Sequence, residues 1–550
     1  MKRLSAIFLC LTLVFTLFTG CSSETSNSST NEVSDTDVSN SENETGEPET
    51  VTFPLDEPIE LEYWLAFSST HIKTLSENAF YQDLEEKTNI HINWNHPPQG
   101  QEQDQFSLMI ASDDLPDIIC WSSYPGGYDK AISDGVYVKL NDYIQKYAPN
   151  YSRVINSNPD ILKQVTTDSG SMAGMFLIQI AEEPAWNGLV VRGDWLEDLN
   201  MDPPKTIDDW HTMLTRFKEE KGAEAPLLIS FDWQMEESAH FLSAYNVTYT
   251  FFNQDGTVKY GPMEPGYKEF LTTMKQWFDE GLIDRDFVTR DDASKNAYFT
   301  SGKSGAIPGN YGTFDAWNSA GKAIDPNYSL YGTESVSLNP DDETHFRCTN
   351  YYNKGSETFF TTSNEHLAES IAMFDLGFVE ENFPTYNYGV EGVSWEWEEG
   401  PIADISKPFW PESLRDSDEH PAYNEFMTNN PDGIPFWDLV NSYKPFYLPY
   451  LRDPMANEMS DDVIQAMNAW TATGNDWMIP AKMTNTEEEN AIITPLLNDI
   501  TTYRDEMVLK FITGEEPLEN FDAYVETLKD MGIEEVIELK QAALDRYLAR

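Results

Sequence analysis

The sequence contains many aromatic residues, and some of them stand near amide side chains or a carboxylate. These residue types are suited to binding a ligand by non-covalent contacts. The chain carries 15 Trp, 27 Tyr and 30 Phe. Several of them directly follow segments with a strand pattern, and ligands of α/β sheets bind beyond the carboxyl ends of the strands. We therefore predict ten ligand-binding residues. They are Trp64, Trp121, Tyr124, Trp186, Asn187, Trp233, Asn310, Tyr311, Glu391 and Trp395.

The ligand that this residue mixture suits best is a sugar. Sugars present flat C–H faces, which aromatic rings cover, and rings of hydroxyls, which carboxylates, amides and guanidinium groups bind. Trp is amphipathic and stiff, so it loses little entropy on binding. The alternative is that most of the aromatic residues fill hydrophobic cores. For Glu391, a structural role and a contact with a sugar hydroxyl are equally compatible with the sequence.

Catalytic and metal-binding motifs are missing from the sequence. It contains no His-Glu-x-x-His zinc motif, and its eight His are scattered. Ser301–Ser304 resembles the end of a phosphate-binding loop, but Ala297 stands where that loop requires Gly. We expect no metal and no cofactor. Because 94 acidic residues supply many chance carboxylate pairs, a secreted carbohydrate-active enzyme such as a glycoside hydrolase remains an alternative.

The charge balance limits the kind of partner. A formal net charge of −59 argues against nucleic acid, which binds clustered Lys and Arg. It also disfavours an anionic ligand unless local basic residues overrule the field. Cys120 and Cys348 are the only Cys of the expected folded part. They could form one disulfide outside the cell or remain two buried thiols, and the sequence leaves both open.

The amino terminus predicts export and a lipid anchor. Lys2 and Arg3 precede an apolar run, Leu4–Phe18, which is shorter than the about 20 residues of a membrane span and is typical of a signal peptide. The following Cys21 has small residues before it and is the expected lipidation site. We predict a signal peptide over 1–20 and a flexible tether rich in Ser, Asn and Glu over 21–50, since this segment has too few apolar residues to fold.

The rest of the chain alternates strand and helix patterns. Apolar residues alternate over Ile59–Leu65, and Ile90 and Ile92 start another strand. Leu115–Ile119 reads as a strand that runs into Trp121, and helical stretches lie between these segments. Such alternation predicts an α/β architecture with a mostly parallel sheet. About 500 residues exceed the roughly 250–300 residues that one core supports, so we expect two lobes.

Helix boundary signals are clearest in the second half of the chain. Thr206 and Asp209, and Thr486 and Glu489, have the spacing of helix N-caps with an acidic residue in the first turn. Trp210 lies on an apolar helical stripe and is expected in the core. The turn Asn253–Gly256 predicts a hairpin, and Pro265 predicts the start of a helix that ends before Gly281.

Short motifs along nearly the whole chain resemble one family, extracellular solute-binding protein family 1, and within it the LplA-like lipoproteins of Gram-positive bacteria. Each motif alone is weak, but their order and combination are specific. They are Ser112–Ile119, Asp134–Asp142, Lys146–Asn150, Arg192–Leu196, Pro204–Trp210, Glu280–Asp284, Gly302–Ala306, Tyr388–Gly392 and Lys510–Gly514.

This resemblance implies a two-lobe periplasmic-binding-protein-like α/β fold of type II, hinged, with a central ligand cleft. We place lobe 1 at 51–180 and 300–350, and lobe 2 at 181–299 and 351–550. The resemblance further implies a monomeric lipoprotein on the outer face of the cell membrane, attached by the lipid anchor only. Such a protein delivers a carbohydrate, most often an oligosaccharide, to the permease subunits of an ABC importer. A receptor of the same fold for a peptide or a polyol is the remaining alternative.

Overall fold

Short strands and longer helices alternate along the chain and build two separate sheets, as the sequence pattern predicts. The computed structural model describes residues 51–69, 72–120, 124–180, 184–229, 238–348, 352–399, 419–423, 444–448 and 460–550. Within these ranges no helix has both the length and the apolar character needed to cross a bilayer. The predicted signal peptide, Cys21 and the predicted tether lie outside the described residues.

The first sheet has five strands in the order β2-β1-β3-β11-β4. The strands β1 to β3 are parallel, whereas β11 runs antiparallel to both of its neighbours. The carboxyl ends of β1 to β3 and the amino end of β11 therefore share one edge of the sheet. The bounds are Ile59–Leu65 (β1), Ile90–Asn95 (β2), Ile118–Cys120 (β3), Gly174–Met175 (β4) and Thr358–Phe360 (β11).

The second sheet has three antiparallel strands in the order β10-β6-β9. Both of its faces are covered, because successive residues of a strand point to opposite sides. Leu189 and Val191 enter one hydrophobic cluster, whereas Val190 enters another on the opposite face. The bounds are Asn187–Arg192 (β6), Ala306–Asn310 (β9) and Leu330–Gly332 (β10).

Six further strands form three small pairs. The predicted hairpin is confirmed, since β7 and β8 pair across Asp255 and Gly256. The other two pairs are β12 with β13, antiparallel, and β5 with β14, parallel. The bounds are Phe251–Gln254 (β7), Thr257–Tyr260 (β8), Trp395–Glu399 (β12), Glu419–Tyr423 (β13), Ile178–Gln179 (β5) and Tyr447–Leu448 (β14).

Seventeen α-helices lie in the described residues. In the first half of the chain they are Ala79–Thr88 (α1), Glu102–Ser112 (α2), Gly127–Ser133 (α3), Asn141–Tyr147 (α4), Pro149–Ile155 (α5), Pro159–Val165 (α6), Gly193–Leu199 (α7), Ile207–Glu220 (α8) and Pro265–Asp279 (α9). The remaining ones are Asp292–Thr300 (α10), Tyr311–Lys322 (α11), Leu367–Asp375 (α12), Phe383–Tyr388 (α13), Asp461–Thr471 (α14), Glu487–Thr513 (α15), Phe521–Asp530 (α16) and Ile533–Ala549 (α17).

Both predicted helix caps are confirmed as reciprocal capping boxes. The Thr206 hydroxyl accepts the Asp209 amide at 3.2 Å, and the Asp209 carboxylate accepts the Thr206 amide at 3.0 Å. Thr486 and Glu489 repeat this arrangement at the start of α15. Such caps satisfy amides that the first helical turn leaves without partners. Trp210 is fully buried, as its position on the stripe predicts.

The strand pairing differs from the predicted lobe boundaries in two places. The sequence predicts 300–350 in lobe 1, whereas β9 pairs with β6 in the second sheet. It predicts everything after 351 in lobe 2, whereas β11 pairs with β3 in the first sheet, Phe360 opposite Ile118. Strands of three to five residues carry too little sequence signal to reveal their partners. These pairings correct both assignments, while the division into two lobes stays a prediction.

The chain passes from β5 to β6 through residues 180–186 and approaches β11 through 346–357. At β5, the Leu177 amide donates to the Gly355 carbonyl at 3.0 Å, and the Gln179 amide donates to the Tyr352 carbonyl at 2.8 Å. The end of the second segment is thus hydrogen-bonded to the strand from which the first segment starts.

Candidate functional site

Four of the ten predicted binding residues meet at one edge of the second sheet. Asn187, the first residue of β6, lies opposite Asn310, the last residue of β9. Their neighbours in the chain meet as well, since the Tyr311 amide donates to the Trp186 carbonyl at 3.1 Å. Trp186, Asn310 and Tyr311 are half-buried, and Asn187 is buried. Two aromatic rings and two amides therefore lie together, although their positions are more than 120 residues apart.

Local hydrogen bonds hold this edge. The Asn310 side chain accepts the Thr313 amide at 2.9 Å and so caps α11, and the Thr313 hydroxyl accepts the Asn310 amide at 2.9 Å. On the neighbouring strand, the Trp186 amide donates to the Cys348 sulfur at 3.3 Å. The aromatic residues thus project from backbone that is fixed on both strands.

Trp470 packs against β6 and forms a hydrogen bond with it. Its indole N–H donates to the Leu189 carbonyl at 3.1 Å. A Cβ atom on Gly188 would lie only 2.2 Å from Cδ1 of Trp470, so the side-chain-free backbone of Gly188 lets the indole pack directly against β6. This close contact sets the distance between the start of β6, where Asn187 lies, and α14, the helix that contains Trp470.

Behind this edge lies a polar cluster that the sequence analysis missed. The Ser238 hydroxyl donates to the side-chain oxygen of Asn187. Both residues line a small cavity of about 20 Å³, together with His240, Arg347 and Trp470. Several donors in this cluster have no hydrogen-bond partner, namely Asn187 Nδ2, and Nε and Nη1 of Arg347. Nε2 of His240 also lacks a partner.

His240 is neutral in this environment. It is only 4% exposed, and burial lowers its pKa to about 4 because an imidazolium loses its hydration in the interior. No sequence pattern identifies this cluster, because its members come from three separated segments. Only the folding of 238–240 and 346–348 against the start of β6 brings them together.

Two predicted residues lie in the first hydrophobic core instead. Trp64 is 3% exposed and its ring packs 6.0 Å from that of Phe106. Tyr124 packs on the same Phe106 at 6.2 Å, and its hydroxyl donates to Asp134 at 2.9 Å. Burial and this hydrogen bond raise the pKa of Tyr124 to about 12. In this conformation neither ring offers a face to a ligand.

The predicted pair Glu391 and Trp395 lies next to the β12–β13 hairpin. Trp395 is 2% exposed, and its indole N–H donates to the Gly389 carbonyl at 2.9 Å, so its contacts are structural. Glu391 is exposed. The neighbouring Trp397 is 44% exposed, with its ring 5.4 Å from that of Trp395. Trp397 lies on the same face of β12 as Trp395, which stands two residues before it, and the partly exposed ring of Trp397 is accessible to a ligand.

The remaining predicted site residues, Trp121 and Trp233, lie outside the described residues, as does the predicted lipidation site Cys21. The two Cys of the folded part are both buried. Cys120 belongs to the first core and Cys348 to the cluster around Val190. They form no disulfide with each other, which settles the question that the sequence left open.

A cavity of about 610 Å³ borders the first sheet. It begins at the Gly126-Gly127 turn after β3 and reaches Glu357, which precedes β11. The side chains of Tyr128 and Phe176 form apolar parts of its wall. None of the eight predicted binding residues that the structure describes lines it. The sequence signal for Tyr128 was nonetheless present, since it directly follows the glycine turn at a strand end.

The charged groups around this cavity are largely paired with one another. Asp168 accepts hydrogen bonds from Arg546 at 2.9 Å and from Arg550 at 2.6 and 2.8 Å. Arg546 also binds both oxygens of Glu489. Burial raises the pKa of the Glu489 carboxyl, but the hydrogen bonds from Arg546 and the Thr486 amide outweigh it, so the pKa lies below its ordinary value. The Arg546 and Arg550 guanidinium groups beside this cavity are therefore already engaged with acidic side chains.

The second-sheet edge, formed by Trp186, Asn187, Asn310 and Tyr311, has the groups needed to bind a polar ring compound by non-covalent contacts. Half-buried aromatic rings provide flat apolar faces, and fixed amides provide hydrogen bonds. In the described residues no group of three or more His, Cys, Asp or Glu side chains is placed to hold a metal ion.

Comparison with known proteins agrees with the sequence motifs. A family model described as bacterial extracellular solute-binding protein matches residues 69–340. The fructooligosaccharide ABC transporter substrate-binding protein FusA of Streptococcus pneumoniae is 24% identical over 542 residues, which cover 91% of this chain and 93% of FusA. The polygalacturonan/rhamnogalacturonan-binding protein YtcQ of Bacillus subtilis is 26% identical over 57% of this chain and 63% of its own.

Solved structures show the same fold. An HMO-binding, ABC-transporter-associated solute-binding protein from Bifidobacterium longum infantis superposes with a TM-score of 0.72. It covers 90% of this chain and 99% of its own at 15% identity. The predicted α/β fold of the type II periplasmic-binding-protein class is thereby confirmed. At this identity the likeness establishes the fold alone.

Proposed function

The chain belongs to the bacterial extracellular solute-binding protein family, and from that premise we propose that it captures an oligosaccharide for an ABC importer. The proteins it resembles are binding proteins, and this chain is accordingly a binding protein rather than an enzyme. The cargo is held by contacts alone and is handed on unaltered to the permease subunits. Two relatives carry oligosaccharide or polysaccharide ligands in their names, which supports a saccharide here.

The single observation that carries this proposal is the pairing of Asn187 with Asn310, which assembles Trp186 and Tyr311 beside two amides. Stacking of an aromatic ring on a sugar face and hydrogen bonds to its hydroxyls need such a set. The large cavity adds room for several sugar units, because about 610 Å³ lies within the range of ligand sites. We propose that the ligand extends from the second-sheet edge towards this cavity.

The connections between the sheets supply the hinge in this proposal. Segment 346–357 is hydrogen-bonded to β5, where segment 180–186 starts, and the Trp186 amide at the other end donates to the Cys348 sulfur. Rotation about a few residues in such connections closes two lobes on a ligand. Each lobe then contains one of the two sheets.

The location proposed for the protein is the outer face of the cell membrane. The support is the sequence before residue 50, with a charged start, a short apolar run and Cys21. Lipid on Cys21 would be the only contact with the bilayer, and the protein would act as a monomer.

A thermal-shift screen tests the proposal. The mature chain from residue 22 is heated alone and with plant and host oligosaccharides, with peptides and polyols of similar size as comparison sets. A ligand that binds the folded state raises the melting temperature by mass action. We expect at least one oligosaccharide to raise it in a dose-dependent manner, and mass spectrometry to recover that oligosaccharide intact.

The same screen identifies the alternatives. Shortened glycans in the recovered sample would show an enzyme and overturn the proposal. If peptides or polyols raise the melting temperature and no glycan does, the protein is a receptor for that other class of ligand.

A further inference from the structure

We propose that the ligand of this protein carries a carboxylate, and that Arg347 and Asn187 bind this group at the base of the second-sheet edge. This inference rests on the proposed function and names the class of saccharide, an acidic one that contains uronic acid or a similar sugar acid.

The first argument is the hydrogen-bond balance of the cluster. Two buried N–H groups of Arg347, at Nε and Nη1, have no hydrogen-bond acceptor, and Nδ2 of Asn187 has none either. Buried polar groups without partners are rare in folded proteins, since each has given up its hydrogen bonds to water without gaining others. All three groups are donors, so what is missing from the site is an acceptor. A carboxylate is the acceptor that matches the planar guanidinium edge best.

The second argument is the electrostatic setting. Arg347 is half-buried, and no described residue forms an ion pair with it. Of the other titratable groups that line the cavity, His240 is buried, and Glu334 is exposed and pairs with Lys205 at 3.0 Å. An unpaired guanidinium is the local basic group that an anionic ligand needs in a chain of net charge −59.

The third argument is size. The cavity of about 20 Å³ has room for about one water molecule. It admits one oxygen of a carboxylate and excludes a sugar ring, which stays outside. The hydroxyl of Ser238 donates to the side-chain oxygen of Asn187 and so leaves the amide nitrogen for the ligand. A neutral hydroxymethyl oxygen would fit the same space, but it carries no charge and forms a weaker hydrogen bond with the guanidinium.

The test uses matched pairs of ligands on the mature chain. Uronic-acid oligosaccharides of several linkages are compared by calorimetry with the same oligosaccharides after reduction of their carboxyl groups to alcohols. Peptides of similar length with a free carboxyl terminus form a third set. We expect the best acidic oligosaccharide to bind at least about tenfold more tightly than its reduced form, as lost charge-assisted hydrogen bonds require.

Variants assign this preference to the residue. Arg347→Gln is expected to abolish the preference, so that the acidic and reduced forms bind with similar affinity, because the charge-assisted contact with the carboxylate is lost. Arg347→Lys keeps the charge without the planar fork and should retain part of the preference. Arg285→Gln removes an exposed guanidinium elsewhere and should change neither affinity. Melting temperatures of all variants show whether each one folds.

The outcomes separate this inference from the broader proposal. Tight binding of neutral oligosaccharides with no preference for acidic ones, or an unchanged preference in Arg347→Gln, overturns the carboxylate inference and leaves saccharide binding intact. Binding of the peptides alone, or of no ligand at all, overturns both.

Discussion

Asn187 and Asn310 lie directly opposite each other across the β6–β9 ladder, at the end of the sheet where one strand begins and the other ends. One amide belongs to a cluster of buried polar groups, and the other caps the helix that follows it. Asn187 and Asn310 thus belong both to the structural support of this edge and to the proposed binding site. Substitutions of Asn310 can separate the two roles.

Asn310→Ala removes the cap of α11. The Thr313 amide loses its acceptor at 2.9 Å, and we expect the free energy of unfolding to fall by about 1 kcal/mol. Asn310→Ser retains a side-chain oxygen that caps well, so stability should stay near that of the wild type, while the ligand still loses an amide contact. Urea unfolding and calorimetric titration check both effects. Equal affinity of Asn310→Ser and the wild type would remove Asn310 from the binding site.

Gly188→Ala places a methyl group against Trp470. At 2.2 Å from the indole, the new Cβ forces either the ring or the strand to move, and overpacking of this kind costs roughly 1–3 kcal/mol. Gly312→Ala is the matched control, because the nearest atom to its Cβ is 3.4 Å away and Ala is favoured over Gly in a helix. Chemical unfolding should show a loss for the first variant and none for the second. Equal stability of the two variants would contradict the tight contact.

His240 makes stability depend on pH. Its folded pKa of about 4 is below the roughly 6.5 of an unfolded histidine, so the unfolded chain binds more protons between these values. Stability should therefore fall as the pH drops from about 6.5 to about 4, with roughly 3 kcal/mol lost through this residue. Below the folded pKa its contribution changes no further.

The variant that tests this effect is His240→Asn. His240 has a positive φ of 44°, which Asn tolerates better than most residues, and Asn cannot take up the proton. Urea unfolding at a series of pH values should give a shallower slope for His240→Asn than for the wild type. Parallel slopes for His240→Asn and the wild type would show that the imidazole is not the cause.

Asp168 ties the last helix to the segment after α6. Asp168→Asn weakens its hydrogen bonds with Arg546 and Arg550, and Arg550 is only 4% exposed at its side chain. We expect a loss of roughly 1–3 kcal/mol, since a guanidinium left half-satisfied in the interior is costly. Glu526→Gln disrupts the exposed pair with Lys529 and should cost less than about 0.5 kcal/mol. A similar loss of unfolding free energy in Asp168→Asn and Glu526→Gln would show that the buried Arg550 contacts stabilise the protein no more than an exposed ion pair does.

Much of the fold follows from local sequence patterns. The alternation over Ile59–Leu65, the caps at Thr206 and Thr486 and the turn at Asn253–Gly256 each predict an element that the structure contains. These signals are local, because a few neighbouring side chains decide the backbone conformation. The assignment of β9 and β11 to sheets required long-range pairing, which the short strands do not encode in their own residues.

The candidate site was predictable only in part, for the same reason. Trp186 and Tyr311 are both predicted from the sequence as binding residues, and the structure brings them together. Trp64 also lies near a strand end, but there β1 is buried on both faces, since the consecutive residues Tyr63, Trp64 and Leu65 are all buried. Arg347 carries no pattern at all, and only its buried donors without acceptors identify it.

The most direct test of the central claim is a calorimetric titration of the best oligosaccharide from the screen into the wild type and into the Trp186→Ala/Tyr311→Ala double variant. The exposed Tyr143→Ala serves as control, and melting curves establish that each protein is folded. Loss of two stacking rings should weaken binding by about a hundredfold, the control should match the wild type, and the oligosaccharide should be recovered with its mass unchanged. Wild-type affinity in a folded double variant, or cleaved oligosaccharide after the titration, would contradict the account.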